Sequence, residues 1–192
     1  MKAAVKKEPV LRFKEFDGEW SIKSLGNIAN FTSSKRVYIS DYCESGIPFY
    51  RGKEISELQK GLPPQDILYI TEKKYNEFKA KYGVPQINDL LITAVGTLGN
   101  VYRIPDDNKF YFKDGNLIWL RDVSEYSEYL EQLLHFKTRD LLKTSIGSTQ
   151  KALTMVELKK IKFNFPTLPE QQKIANFLTA VDTKLEQVRS PY

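Results

Sequence analysis

Apolar residues near the end of the chain recur with the spacing of a coiled-coil helix. Their separations alternate between four and three positions, at Ile174, Leu178, Val181, Leu185 and Val188. This spacing places them on one face of a helix that winds around a partner helix. Pro169 and Glu170 suit a helix start, because first-turn N–H groups have no helical partner and an acid favours the positive end of the helix dipole. The pattern predicts a helix from about Pro169, whose apolar face either binds a partner helix or packs on the body of the chain.

The residues before this helix change from a helical to an alternating pattern. Thr154 and Glu157 have the spacing of a capping box, in which each side chain accepts a hydrogen bond from a backbone N–H at a helix start. Apolar and polar residues then alternate over 161–165, which is the period of a half-buried strand. We predict a short helix from Met155 to about Lys160, then a strand, then the long helix.

Short strands bounded by turn residues dominate the rest of the chain. The segments richest in aliphatic and aromatic residues are Ile47–Tyr50, Ile67–Ile70, Leu90–Val95, Asn100–Ile104, Phe110–Phe112 and Asn116–Leu120. Two helices are predicted between them, one capped by Thr71 with Tyr75 and Phe78 on one face, and one over 124–143. This mixture predicts the α+β class, with a mixed, largely antiparallel twisted sheet, flanking helices and a C-terminal coiled-coil-type helix.

Composition narrows the class of protein. The 192 residues are 41% hydrophobic, which suits one domain of ordinary size with a sizeable core. No apolar run is long enough to span a membrane and the N-terminus lacks the pattern of a secretion signal, so we expect a cytoplasmic protein. The single cysteine, Cys43, excludes an internal disulfide and a cysteine-based metal cage.

Charge favours an anionic partner. The formal net charge is +5, and cations that neutralise phosphates gain affinity by releasing counterions. Cations and tyrosines occur together beside predicted turns, at Lys35, Arg36, Tyr38, Tyr50, Arg51, Lys53, Arg103, Lys109, Tyr111 and Lys113. Such clusters suit a surface that faces duplex DNA, and they also suit a solvated rim with tyrosines packed at strand ends.

One stretch of the chain, residues 147–178, closely resembles a known family. It reads GSTQKALTMVELKKIKFNFPTLPEQQKIANFL. It is similar to the end of a target-recognition domain and the start of the following conserved helix in the DNA-specificity subunits of type I restriction-modification systems. Three other parts resemble the same family in the same order, namely PVLRFKEFDGEWSIKSLGNIA, IPFYRGKEI, and DLLITAVGTLGNVYRI with FKDGNLIWLR. The resemblance covers roughly Pro9 to Val188.

The resemblance implies a target-recognition domain over residues 1–166 and the start of the conserved spacer helix over residues 167–192. Such a subunit usually carries two recognition domains joined by two long helices, so we expect one domain with a shortened helix here. The implied function is sequence-specific recognition of double-stranded DNA, which directs partner methyltransferase and restriction subunits to the target. The subunit itself would be non-catalytic and would hold no cofactor and no metal. Self-association, or pairing with a second half-subunit through the helix, stays open.

The polar loop Gly147–Lys151 is the main candidate for phosphate binding. It supplies two hydroxyls, an amide and an ammonium just before a helix N-terminus, from Ser148, Thr149, Gln150 and Lys151. Gln150 could alternatively read an adenine edge. Thr93 and Thr97 lie at the glycine-containing turn 96–99 and could donate hydroxyls to phosphate oxygens, although a plain hairpin explains the same glycines.

Base readout requires side chains that reach a groove of the duplex. Arg51 could bind a guanine edge with two hydrogen bonds, and Asn116 an adenine edge, each pair giving about 1–3 kcal/mol of discrimination. The remaining candidate DNA-binding residues are Lys35, Arg36, Tyr50 and Lys53. The candidate partner-binding residues are the five apolar residues of the terminal helix.

Two other function classes have some support in the sequence. A metal-dependent nuclease could use Asp106, Glu157 and Lys159, but Glu157 is better employed in the capping box and Asp106 follows a proline in a turn. His135 is the only histidine and lies on a leucine-rich predicted helix, so no histidine-based catalytic set is assembled. A protein-interaction adaptor would use the apolar helix face and no DNA, and charge reversal in the polar loop would leave its function intact.

Overall fold

The structure, a computed structural model, describes residue 9, residues 11–147 and residues 151–189. The strands are β1 Ser21–Ser24, β2 Asn30–Thr32, β3 Tyr42–Cys43, β4 Ile47–Tyr50, β5 Leu68–Ile70, β6 Leu90–Thr93, β7 Val101–Arg103, β8 Tyr111–Phe112, β9 Leu117–Arg121 and β10 Lys162–Phe165. The α-helices are α1 Leu25–Ile28, α2 Gly52–Gln59, α3 Glu72–Tyr82, α4 Ser127–Phe136, α5 Thr138–Lys143, α6 Met155–Lys160 and α7 Leu168–Arg189. Within these ranges every helix is too short or too polar to cross a membrane.

The strands are divided among three sheets instead of the single sheet expected. β1 pairs with β10, and the two four-stranded sheets have the orders β2–β9–β6–β7 and β3–β5–β4–β8. Among the described strands only β4 and β8 pair in parallel, with Phe49 opposite Tyr111. The α+β class with largely antiparallel pairing is therefore confirmed, and the number of sheets is corrected.

The largest hydrophobic core lies between the β2–β9–β6–β7 sheet and the helices around it. Leu90 and Ile92 of β6 meet Leu130 of α4, Leu158 of α6 and Ala175 of α7, and all five are buried. Complete burial of one leucine or isoleucine side chain contributes about 1.5–3 kcal/mol. Because α4, α6 and α7 share this core with β6, they are held in fixed positions around the sheet.

Helix α2 couples the two four-stranded sheets. Its Ile55 is fully buried in a cluster with Phe112 of β8 and with Leu91 and Trp119 of the other sheet. No helix is predicted over these residues, because the short apolar run and Gly52 suit a strand followed by a loop. Tertiary burial of Ile55 supplies the stabilisation that the local pattern lacks.

The helix predicted over 124–143 is two helices. Lys137 lies between α4 and α5 with φ −95° and ψ 14°, outside the helical region. The Thr138 hydroxyl donates to the His135 carbonyl oxygen at 2.7 Å, which satisfies one of the carbonyls freed at the break. The bend lets Leu141 enter the same core as Leu134.

The predicted caps are present in part. The Thr71 hydroxyl accepts a hydrogen bond from Lys74 N at 3.2 Å at the start of α3, as expected. The Thr154 hydroxyl accepts from Glu157 N at 3.3 Å at the start of α6. The Glu157 carboxylate instead accepts from Lys160 Nζ at 2.6 Å, so the capping box is formed through its hydroxyl half.

Helix α7 is packed at its start and projects beyond it. Gln171 and Ala175 are fully buried, and the Gln132 amide of α4 donates to Thr179 Oγ1 at 3.1 Å. Residues 180–188 are all exposed. The helix therefore leaves the body of the domain after about its third turn.

Candidate nucleic-acid interface

Five turns meet at one end of the two four-stranded sheets, and we call them the turn cluster. They comprise residues 33–38, 50–53, 93–100, 113–117, and 146–153 apart from 148–150, which lie outside the described residues. Four of them follow or precede strands that pair side by side, so strand register brings them together. The fifth is the polar loop after α5.

Side-chain contacts join the turn over residues 33–38 to the turn over residues 113–117 and to the strand before it. The Ser33 hydroxyl donates to Leu117 O at 3.0 Å, and the Tyr111 hydroxyl accepts from Lys35 N at 2.8 Å. The Arg36 guanidinium pairs with Asp114 at 3.1 Å, while the Arg36 side chain remains 68% exposed. Lys35 is therefore fixed by its backbone and Arg36 by its ion pair, and both residues are exposed.

The second junction links α2 to the neighbouring turns. Lys113 N donates to Tyr50 O at 2.9 Å, because β4 and β8 are parallel and end together. A Cβ added at Gly52 would lie 3.9 Å from Val95 O, so the start of α2 closely approaches the turn over 93–100. Ala94 N also donates to Asn116 O at 2.8 Å, which brings Asn116 into the same surface.

The polar loop is attached to this surface by backbone hydrogen bonds. Ile146 and Ala152 exchange two N–H to O bonds of 2.9 Å, which close the loop at its base. Leu153 N donates to Ala94 O at 3.0 Å, so the loop lies beside the end of β6. Lys151 is exposed, and within the part of the chain that the structure describes it forms no ion pair. The predicted donors Ser148, Thr149 and Gln150 fall outside the described residues.

Cations outnumber exposed acids in the turn cluster. The basic residues that the sequence analysis placed here lie together, at Lys35, Arg36, Arg51, Lys53, Lys113 and Lys151. Lys53 pairs with the exposed Asp66 at 3.0 Å. By contrast Arg103 pairs with Glu131 and Lys109 with Glu72, so these two cations serve local contacts elsewhere.

Sequence reasoning missed a basic helix beside the cluster. A Cβ added at Gly99 would lie 3.5 Å from side-chain atoms of Thr138 and Leu142, so α5 packs directly against the glycine turn. α5 also carries Arg139, which is exposed, and Lys143, whose side chain is 76% exposed and pairs with Asp140 of the same helix at 2.8 Å. The segment TRDLLK contained these cations, but its place beside the turn depends on the break at Lys137.

Arg51 is held by a buried carboxylate. Glu54 is fully buried and accepts from Arg51 Nε at 3.1 Å, from Nη2 at 2.5 Å and from the backbone N at 2.7 Å. Arg51 Nη2 also donates to Asp66 O at 3.2 Å. Since a guanidinium has five N–H groups, these bonds leave the two on Nη1 free. One free amino group suits a phosphate oxygen or a single base acceptor, and it does not suit the two-bond guanine contact that the sequence suggested.

The pair also sets the charge state of Glu54. Burial raises the pKa of this carboxyl, but the hydrogen bonds from the Arg51 side chain and backbone outweigh it and lower the pKa below its usual value. The hydrogen bonds that the Arg51 side chain donates to Glu54 raise the pKa of Arg51. Both groups are therefore ionised over the physiological range.

Two of the candidate DNA-binding residues, Thr93 and Tyr50, have side chains that are engaged in contacts within the protein. Thr93 is buried, and its hydroxyl donates to Thr97 O and accepts from Asn100 N at 2.9 Å. A buried hydroxyl with both roles filled has no surface for DNA, so the proposed phosphate contact of Thr93 is corrected to a role in shaping the turn. Tyr50 stacks on Phe110 with a centroid distance of 5.1 Å, as expected of a tyrosine packed at a strand end. Thr97 is exposed.

The apolar residues of α7 divide into two groups. Ile174 packs against the core of the domain, as the alternative interpretation required. The other four are exposed by 39–72%, at Leu178, Val181, Leu185 and Val188. They form a continuous unpartnered stripe along the projecting part of the helix.

The residues of the nuclease alternative are engaged in local structure. Glu157 pairs with Lys160 at 2.6 Å, and Asp106 accepts from Asn108 N at 3.0 Å within its own turn. Among the described residues no group of three histidine, cysteine or acidic side chains could hold a metal ion. Nothing in this arrangement favours a nuclease.

Comparison with known proteins identifies the family. Residues 17–191 match the family described as the type I restriction modification DNA specificity domain, and the chain belongs to this family. It is 30% identical over 178 residues to a protein named as a type I restriction enzyme specificity subunit of Haemophilus influenzae, covering 92% of this chain and 43% of that protein. It is 26% identical over 182 residues to the MjaVIII specificity subunit of Methanocaldococcus jannaschii, covering 90% and 41% respectively. The chain thus spans less than half the length of these relatives.

Solved structures share the fold. The HsdS subunit from Thermoanaerobacter tengcongensis aligns with a TM-score of 0.66 at 20% identity, over 92% of this chain and 41% of that one. The S subunit from M. genitalium aligns with a TM-score of 0.61 at 15% identity, over 97% and 44%. The family resemblance found in the sequence is therefore confirmed, together with the fold class.

Proposed function

We propose that this chain recognises a sequence in double-stranded DNA and directs partner subunits of a type I restriction-modification enzyme to it. The observation that carries the proposal is the turn cluster, where strand register and the backbone hydrogen bonds of the polar loop gather six cations at one end of a domain of the DNA-specificity family. A cationic surface of this kind attracts the phosphate backbone of a duplex irrespective of sequence.

In this proposal Lys35, Arg36, Lys113 and Lys151 hold phosphates, with Arg51 contributing its free amino group. Lys53, Thr97 and the donors at 148–150 extend the same surface. Arg139 and Lys143 of α5 continue it past the glycine turn. Phosphate contacts position the domain on the duplex, and base contacts must supply the specificity.

Asn116 is the base reader that we propose within the cluster. It is partly exposed immediately before β9, with its backbone carbonyl oxygen accepting a hydrogen bond from Ala94 N. A side-chain amide can give adenine one donor and one acceptor, which distinguishes it from the other bases in the major groove.

Helix α7 is proposed to join this domain to the rest of the enzyme. Residues 1–166 would form the recognition domain and residues 167–192 the start of the spacer helix. The exposed stripe from Leu178 to Val188 would bind methyltransferase subunits and, through them, the restriction subunit, or a second half-subunit. The chain would contribute no catalysis of its own, and the complex would act on DNA in the cytoplasm.

Charge reversal in the turn cluster tests the proposal. The triple variant Lys35→Glu, Lys113→Glu and Lys151→Glu should bind a labelled random-sequence duplex more weakly. The slope of log affinity against log salt should fall by about three in magnitude. A control with the same change of charge outside the cluster, Lys14→Glu, Lys162→Glu and Lys184→Glu, should retain most of the parent affinity and slope. Absence of DNA binding by the parent chain, or equal losses in both variants, would contradict the proposal.

A further inference from the structure

Two large apolar side chains stand exposed on the rim of the turn cluster. Tyr38 is 63% exposed and Ile39 is 86% exposed. They are adjacent, at the tip of the segment that begins with Lys35 and Arg36. Isolated apolar residues are common on protein surfaces, so their exposure alone carries no function. These two residues, however, lie on a braced segment beside a groove that is lined by cations.

The tip that carries them is braced on both sides. Ile39–Asp41 is a 3-10 turn, and the Asp41 carboxylate accepts from Tyr38 N at 2.9 Å. Asp41 also pairs with Lys74 of α3 at 3.4 Å, which ties the tip to the body of the domain. Lys35 is fixed at the base of the segment by the Tyr111 hydroxyl. A braced tip loses little conformational entropy on binding, so its exposed side chains are preorganised for a contact.

The tip forms one wall of a groove, and cations lie along the groove. Its volume is about 460 Å³, and residues 36–39, Tyr42 and residues 113–116 line it. Arg36 stands on the tip side, where it pairs with Asp114 at 3.1 Å, and Lys113 stands on the opposite side. An apolar protein partner that covered Tyr38 and Ile39 would have to bury or displace Lys113, which has no paired acid in the described part of the chain, and such burial is costly. A duplex offers phosphates to the cations and apolar base atoms to the tip within a few ångströms of each other.

We propose that the tip enters the major groove of the bound duplex, where Ile39 and the Tyr38 ring contact the C5-methyl group of a thymine. The thymine methyl is the apolar group that the major groove exposes, and side chains of this type recognise it. The proposal rests on the proposed function and deepens it by naming a base that the site reads and the residues that read it. It adds a contact that hydrogen-bond donors cannot make.

Uracil scanning tests this contact directly. The probe is a duplex that carries the motif enriched from a random pool by the parent complex, with each thymine replaced in turn by uracil, which lacks the methyl. For the parent, one replacement should lower affinity by about fourfold, the value of one buried methyl group. Ile39→Ala should lower affinity for the thymine duplex, and in that variant the same uracil replacement should have no further effect. Tyr38→Phe should behave as the parent, because the ring and not the hydroxyl makes the contact.

The matched control is Ile87→Ala, at an isoleucine that is 50% exposed outside the turn cluster. It should show the full effect of the uracil replacement. Since all three side chains are exposed, unfolding midpoints should match the parent, which separates a lost contact from a lost fold. The inference is overturned if uracil costs the parent nothing at every position, or if its cost persists in Ile39→Ala. Failure of the parent to enrich any motif would instead overturn the proposed function.

Discussion

The Arg12 guanidinium and the Glu170 carboxylate form a partly buried two-bond ion pair between the N-terminal segment and the first turns of α7. Arg12 Nε lies 2.7 Å from Glu170 Oε1, and Nη2 lies 2.8 Å from Oε2. Glu170 is fully buried and also accepts from Trp20 Nε1 at 3.3 Å. Arg12 further donates to the carbonyl oxygens of Asp17 and Gly18. This pair, together with the pairing of β1 and β10, sets the direction in which α7 leaves the domain.

Arg12→Ala should destabilise the protein strongly, because it leaves the Glu170 carboxylate buried without its cation. Loss of one partner of a buried pair costs about 3–5 kcal/mol. Urea unfolding measures the change. Lys173→Ala is the control, since Lys173 pairs with Glu15 on the surface of the same helix and such pairs contribute about 0–1 kcal/mol. Similar losses in both variants would contradict the role given to Arg12.

Lys151→Glu should weaken binding to every DNA sequence and lower the salt slope by about one, because the lysine is proposed to neutralise one phosphate. The order of preference among sequences should not change. Titration of a target and a random duplex at several salt concentrations gives both quantities. Lys162→Glu reverses a charge at an exposed position of β10 and serves as the control. If Lys151→Glu had the affinity and slope of the parent, the loop would not bind phosphate.

The double variant Arg51→Gln with Glu54→Gln tests how Arg51 meets DNA. It removes the arginine without leaving a buried charge, and the glutamine at position 54 can still accept from the backbone N of residue 51. If Arg51 binds a phosphate through Nη1, affinity should fall about tenfold for all duplexes, the equivalent of about 1.4 kcal/mol. The preferred motif should be unchanged. Loss of preference at one base position would instead restore Arg51 as a guanine reader.

The lowered pKa of Glu54 predicts an acid-dependent loss of stability. A carboxyl whose pKa is lower in the folded state stabilises the protein above its unfolded pKa, and that contribution disappears as the pH falls through the folded pKa. The unfolding free energy of the parent should therefore exceed that of Glu54→Gln by a constant amount above about pH 5. The difference should narrow below about pH 4. Glu72→Gln, at an exposed acid paired with Lys109, should show little of this dependence. A difference that stays constant as the pH falls below the unfolded pKa would contradict the assignment.

Elements with a strong local pattern were predictable from the sequence. The β4 strand, the α6 helix and the Thr71 cap of α3 were predicted at or within a residue of their observed positions. In each case the signal is local, namely alternation of apolar residues or a capping side chain three residues before its partner. The family resemblance was carried by longer segments and was also confirmed.

Features that depend on tertiary packing were not predictable. The break at Lys137 follows from the burial of Leu141, and α2 follows from the burial of Ile55 between two sheets. Thr93 looked like an available hydroxyl because the sequence does not reveal that Thr97 O and Asn100 N lie within reach. The sequence also does not reveal which cations are paired, so Arg51 looked free to bind a guanine edge although it is held by the buried Glu54.

Selection from a random duplex pool, without divalent metal, tests the central claim most directly. The chain is used together with a co-purified type I methyltransferase subunit, so that the complex and not the isolated domain is assayed. The account predicts enrichment of one short defined motif, which the triple charge-reversal variant of the turn cluster fails to enrich. Co-purification of the methyltransferase subunit with no enriched motif would contradict it, and would leave α7 as the functional part of an adaptor.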